Sequence, residues 1–101
     1  NSLMNLKTSL DRDYFVFQLT KKAGIIRVKD VGLRLKKTKQ KDQNFDIEIF
    51  YDDQKMSKKK VAANEPVYFF KMGYKKPYEM VCTKVQDDQI QGYISVPKVT
   101  D

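Results

Sequence analysis

Histidine is absent from this chain, and cysteine occurs once, at Cys82. The first absence removes the commonest general base and the commonest metal ligand at neutral pH. The second excludes an internal disulfide, a multi-cysteine zinc site and a thioredoxin-like pair. No apolar run approaches the roughly 18 residues that read as a membrane-spanning helix. No calcium loop with spaced acidic ligands around a central glycine is present. None of Ser2, Ser9, Ser57 and Ser95 sits between the glycines of a nucleophile elbow. The chain opens on Asn1, without an initiator Met or a charged-then-apolar leader. That is expected of a processed or trimmed product, and a removed signal peptide or an excised domain fits equally. Repeats and shifts of composition are also missing, so residues 1–101 are expected to form a single domain. With the usual catalytic partners lacking, the expectation is a non-enzyme without cofactor or metal.

What is plentiful is charge and short apolar alternation. Charged residues make up 33% of the chain and the net charge is +7. Such a balance favours acidic partners, and it serves solubility equally well. A chain of 101 residues buries roughly 60–70% of its unfolded surface, enough for a core without disulfides or metal.

Period-two alternation recurs from Tyr14 to Val96. It predicts strands over Tyr14–Thr20, Ile25–Val28, Val31–Thr38, Phe45–Tyr51, Lys55–Val61, Tyr78–Val85 and Ile90–Val96. Asn64-Glu65-Pro66-Val67-Tyr68-Phe69-Phe70-Lys71-Met72 is the most apolar run. Val67 and Phe69 share one face, and Tyr68, Phe70 and Met72 the other. A strand apolar on both sides is expected in the middle of the fold, covered on both sides. Val31, Leu33 and Leu35 are out of phase with Val28, which predicts a bulge or bend near Lys29-Asp30. The lysines of Lys55–Val61 suit an edge strand. Residues 1–13 read as an irregular arm; only if Leu3, Leu6 and Leu10 line a helix does an α+β variant survive. Residues 98–101 read as a tail. About eight short strands bounded by turn residues predict an all-β antiparallel two-sheet sandwich, immunoglobulin-like or jelly-roll-like in general architecture, with the strand order left open. The expected core is Phe15, Phe17, Leu33, Leu35, Ile47, Ile49, Val67, Phe69, Val81 and Ile94.

Five strings carry a resemblance: Val31-Gly32-Leu33-Arg34-Leu35-Lys36-Lys37-Thr38; Asp52-Asp53 before a lysine-rich stretch; Asn64-Glu65-Pro66-Val67 before aromatics; Pro77-Tyr78-Glu79; and Gly92-Tyr93-Ile94-Ser95 followed by Pro97-Lys98. Together they resemble small predicted secreted bacterial proteins of unknown function, over most of Tyr14 to Lys98. The resemblance implies an extracytoplasmic location. It implies no activity and carries no site residue.

The residues themselves offer few constellations. Asp52-Asp53 and Asp87-Asp88 sit where the chain turns, and turn chemistry accounts for them. Glu79 lies inside an apolar alternation, so it either faces inward with a partner or faces solvent, paired with a cross-strand lysine. Cys82 has no histidine to activate it and is expected to be a buried, inert thiol. The candidate surface is basic. Arg34, Lys36 and Lys37, with Lys39 and Lys41 beyond them, run from one strand into its loop. Lys58 and Lys60 lie on another strand beside Lys55 and Lys59. Tyr74, Lys75 and Lys76 place an aromatic beside cations. Basic grooves with stacking aromatics hold single-stranded nucleic acid, although no RNA-recognition signature is present and Asp42, Asp46, Glu48, Asp52 and Asp53 dilute the field. Two functions follow. One is a non-enzymatic extracytoplasmic module that binds a protein or glycan through a sheet face, an edge or loops. The other is an intracellular basic domain that binds nucleic acid or another polyanion. A third reading, small-molecule binding in the sandwich interior, requires a cavity.

Overall fold

The computed structural model describes residues 12–98. Eight strands follow one another: β1 Arg12–Thr20, β2 Ile25–Val28, β3 Val31–Lys39, β4 Asn44–Tyr51, β5 Gln54–Ala62, β6 Val67–Phe69, β7 Tyr78–Gln86 and β8 Gln89–Pro97. A single 3-10 turn, Lys21–Ala23, joins β1 to β2, and no α-helix occurs among the described residues. Arg12 and Asp13, expected in the irregular arm, are already the first residues of β1. The remainder of that arm, and the tail beyond Lys98, lie outside the described residues.

The strands form two antiparallel four-stranded sheets, one ordered β1-β8-β7-β6 and the other β2-β3-β4-β5. This is the two-sheet all-β sandwich that the alternation predicts. Its connectivity is a meander. Every strand from β2 to β8 lies beside a sequence neighbour; β1 is the exception, completing the first sheet by pairing with β8 alone, from Arg12↔Pro97 to Thr20↔Gln89. The first sheet thus has the Greek-key order, three hairpin-linked strands with a fourth joined by a long connection beside the last of them.

Inward residues of both sheets meet in one core. Leu19, Met80, Ile90 and Ile94 of the first sheet face Val31, Leu33, Ile47 and Ile49 of the second, all fully buried. Of the expected core, Phe15 is only half-buried at its margin. Val81 belongs elsewhere: it is buried, but it pairs with Tyr93 on the outer face of the first sheet. The parity of β7 changes at Thr83, an extra residue between the pairs Cys82↔Gly92 and Lys84↔Gln91. This bulge turns Val85 inward beside Cys82, although strict alternation assigns them to opposite faces. The bulge also explains Gly92, where an added Cβ would stand 2.0 Å from the Val81 carbonyl oxygen and 2.8 Å from the Cys82 Cα.

Two more expectations are refined or corrected. Of the bulge or bend expected near Lys29-Asp30, the bend forms: these residues are the two-residue turn of a tight hairpin, closed by Val28↔Val31, with Lys29 at φ 58°. The change of phase is the chain reversing direction. The run from Asn64 to Met72 is not a central strand. Only Val67–Phe69 is strand, and β6 is the outer strand of its sheet. Val67 and Phe69 are buried, while Tyr68, Phe70 and Met72 are 57%, 59% and 81% exposed. Nothing among the described residues covers them: Tyr68 lies on the outer face of the first sheet, and Phe70 and Met72 lie beyond the end of β6.

Edges are handled unequally. β5 is the outer strand of its sheet and carries Lys55, Lys58, Lys59 and Lys60, as its lysines predict. β2 and β6 are short, at 4 and 3 residues. β1 is 9 residues long, carries no lysine and pairs with β8 without interruption.

Phe69 packs against Tyr51 and Tyr78 at ring separations of 4.8 and 5.5 Å. Truncation of Phe69 to Ala is therefore expected to cost about 3–5 kcal/mol, and Phe70→Ala no more than about 0.5 kcal/mol. Gly92→Ala is expected to cost about 1–3 kcal/mol through overpacking. Urea unfolding of the three variants measures all three values.

Candidate functional site

The predicted basic residues divide between the two ends of the sandwich. On the second sheet, Arg34, Lys36, Lys37, Lys58 and Lys60 are all exposed. Two bulges bring the lysines together around β4. Lys36 is an extra residue between Leu35↔Ile47 and Lys37↔Asp46, and Lys59 and Lys60 together oppose Asp46 between Ile47↔Lys58 and Phe45↔Val61. Lys60 takes φ 53°, and its backbone N–H donates to Asp46 Oδ1 at 2.9 Å. Lys36, Lys58 and Lys59 line a shallow 90 Å³ depression floored by Asp46 and Glu48. Glu48 is almost buried and lies 3.7 Å from Arg34 and 3.5 Å from Lys55. This face is thus a lattice of cations around two acids, and part of its charge is already neutralised.

Tyr74, Lys75 and Lys76 lie in the β6–β7 loop, at the end that holds the β2–β3 and β4–β5 turns. The structure does not join them to the lysine cluster. Tyr74 instead packs edge-on against Tyr78 at 5.2 Å. The adjoining cleft, about 480 Å³, is lined by Arg27, Asp30, Asp52, Asp53, Lys55 and Lys71 among others. Lys71 Nζ stands 3.0 Å from Asp52 and 3.4 Å from Asp30. Asp52 also accepts from the Met72 backbone N–H at 2.6 Å, and the Tyr78 hydroxyl donates to Asp30 at 3.1 Å. Asp52 and Asp53 both have positive φ, the signature of a type I′ hairpin turn, which fixes Asp52 in place. The Met72 N–H, then the Lys71 ammonium, hold the Asp52 carboxyl below its ordinary range. Burial works against the Lys71 charge, but Asp52 and Asp30 outweigh it and raise its pKa. Burial, then the Tyr74 and Asp30 contacts, push the Tyr78 phenol far up. An ammonium held charged is a poor nucleophile, so this network fits a clasp between sheets. Cys82 is buried, its thiol raised by burial and donating to the Lys84 carbonyl at 3.3 Å.

Alternation alone does not single out the outer face of the first sheet. Across it, Tyr68 pairs with Glu79, Glu79 with Ser95, and Ser95 with Tyr14. In the next row Tyr93 lies between Val81 and Val16. Tyr14 and Tyr93 meet edge-on at 5.5 Å. Burial, then the Glu79 carboxylate and the Tyr14 and Tyr68 phenols, raise the Tyr93 pKa. Val16 is 84% exposed on the same face, beside a 330 Å³ groove lined by Gln18, Thr83, Gln91 and Gly92. Glu79 therefore faces outward, and neither of its cross-strand partners is a lysine. It makes no ion pair with any described residue. The signal available in the sequence was the even spacing of Tyr14 and Val16 opposite the inward Phe15 and Phe17, which marks an outer face that is not polar.

Comparison with protein families, with curated proteins and with solved structures finds no match for this chain.

The clasp makes a pH prediction. Asp52 has a depressed folded pKa, so its contribution to stability is present above the ordinary value of 3.8 and is lost as pH falls through the folded value. Lys71 has a raised one, so its contribution is complete below 10.5 and is lost as pH rises through the folded value. Urea midpoints are expected to fall for Asp52→Asn at pH 7, and the deficit against the parent is expected to shrink below pH 3.8.

Proposed function

We propose that this domain is a non-enzymatic extracytoplasmic interaction module that binds a protein or glycan through the outer face of its first sheet. The observation that carries the reading is that face itself: Tyr14, Val16 and Tyr68 are exposed there among Gln18, Gln91 and Thr83. Aromatic surface with one polar end, flanked by amides and hydroxyls, is the chemistry of recognition surfaces. The groups that elsewhere serve as nucleophiles support a structural role. Lys71 is held as an ion-paired ammonium and Cys82 as a buried thiol. The extracytoplasmic placement follows from the resemblance to small secreted bacterial proteins.

A second reading has its own observation. The cations on β3 and β5 of the second sheet suit a polyanion such as nucleic acid. Asp46 and Glu48 at the centre of that face limit its field.

The two readings place the ligand on opposite faces, so paired variants separate them. Binding of a fluorescent fusion to intact bacterial cells is expected to be lost when Tyr14, Tyr68 and Tyr93 are changed to Ser, and kept when Lys36, Lys37, Lys58 and Lys60 are neutralised. The neutralised variant is expected to fold normally, since surface changes each alter stability by no more than about 0.5 kcal/mol. Oligonucleotide affinity is expected to be roughly 10⁻⁴–10⁻⁶ M at physiological salt and to fall as salt rises. Tight oligonucleotide binding that survives physiological salt and disappears in the neutralised variant establishes the second reading instead.

A further inference from the structure

Glu79 is the anomaly of the first sheet's outer face. The chain holds 20 basic residues against 13 acidic ones, yet none of the described cations forms an ion pair with this carboxylate. On the second sheet the corresponding acid, Glu48, is met by both Arg34 and Lys55. Around Glu79 stand aromatic rings. Tyr68 is its direct partner on β6, and Tyr93 lies one row on across β8, backed by Tyr14. Directly opposed residues on neighbouring strands have Cβ atoms about 4.5–5.5 Å apart, and diagonal ones remain within reach of an aromatic side chain. The nearest cation by register, Arg12, is spent on other acceptors: it donates to Ser95 Oγ, to the Ser95 carbonyl at 3.1 Å and to the Pro77 carbonyl at 2.8 Å.

A carboxylate among tyrosine rings attracts a cation, and a ring face adds to that attraction best when the cation is weakly hydrated. A primary ammonium is a compact, strongly hydrated charge with three donors to satisfy. A quaternary ammonium has no N–H to satisfy, and its methyl groups lie directly against the rings. We infer that Glu79, Tyr68 and Tyr93 form a binding site for a quaternary ammonium group. The inference rests on the first sheet's outer face being the binding surface, and it assigns that surface a ligand chemistry. Glu79 supplies the counter-charge, Tyr68 and Tyr93 supply the ring faces, and Tyr14 holds Tyr93 in place edge-on.

Choline chloride is the probe, titrated into the full chain at constant ionic strength and followed by amide NMR. Saturable shifts are expected, confined to β6, β7 and β8 around Glu79. The neutral isostere of choline, with a tert-butyl group in place of the trimethylammonium, is expected to bind at least about fivefold more weakly. Glu79→Gln is expected to weaken choline binding about fivefold, and Tyr68→Ala two- to fivefold by order of magnitude, about one cation–π contact. Tyr68→Phe, which keeps the ring face, is expected to retain binding. Unchanged shifts elsewhere in each variant's spectrum report an intact fold. Absence of saturable shifts, equal binding of the neutral isostere, or indifference to Glu79→Gln overturns the inference. If choline fails while the Tyr14, Tyr68 and Tyr93 variant still loses cell binding, the ammonium assignment falls and the binding face stands.

Discussion

The sandwich depends on how two sheets are held where no strand pairs with another. β2 does not hydrogen-bond to β1 in a common sheet, nor β6 to β5. The apolar core presses the sheets together, and polar pins at each end set their alignment. At one end Lys71, just after β6, reaches Asp30 and Asp52 in two hairpin turns of the opposite sheet. At the other, the Gln43 side chain donates to the Val85 carbonyl at 2.9 Å, and the Asn64 backbone N–H donates to the Cys82 carbonyl at 2.6 Å. Lys71 reaches those aspartates two residues after β6 ends at Phe69, and Phe70 and Met72 are exposed. The pin thus sits where the most apolar stretch of the chain ceases to be strand.

The outer faces of the two sheets have opposite chemistry. One carries lysines and arginines around Asp46 and Glu48. The other carries tyrosines and amides with Lys84, and its Glu79 makes no ion pair with any described residue. In a chain of net charge +7, a face with few cations is the one that a basic or neutral partner can approach without repulsion. The bulged, lysine-bearing edge of the basic face discourages pairing with a second sheet.

Strands and most core residues were legible in the sequence because alternation with period two needs no knowledge of neighbours. Phe17, Leu33, Leu35, Ile47 and Ile49 follow from it directly. Val81 and Val85 do not, since the bulge at Thr83 exchanges their faces and a bulge has no clear mark in the residues. The exposure of Tyr68 and Phe70 was hidden for a different reason: it depends on which face of the first sheet packs on the second and on β6 ending at Phe69, both set by pairing across the chain. The basic cluster was half legible. Lys36 and Lys58 do converge across β4, while Tyr74, Lys75 and Lys76 lie at the other end of the fold. Glu79 was recognised as unusual, but its surroundings required the register of three strand pairs.

The meander has a kinetic consequence. Hairpins β2–β3, β3–β4, β4–β5, β6–β7 and β7–β8 each join chain neighbours, so they close small loops at small entropic cost. The pairing of β1 with β8 is the exception, joining Phe15 to Ile94 across nearly the whole chain. Its loop is the largest in the fold, and it lays the long, lysine-free β1 onto a hydrogen-bonding edge of β8. Until that closure is made, two strand edges without lysine stand open at once. A chain with β1 unpaired from β8 would expose both edges to a copy of itself, where the native pairing leaves only one edge of β1 open.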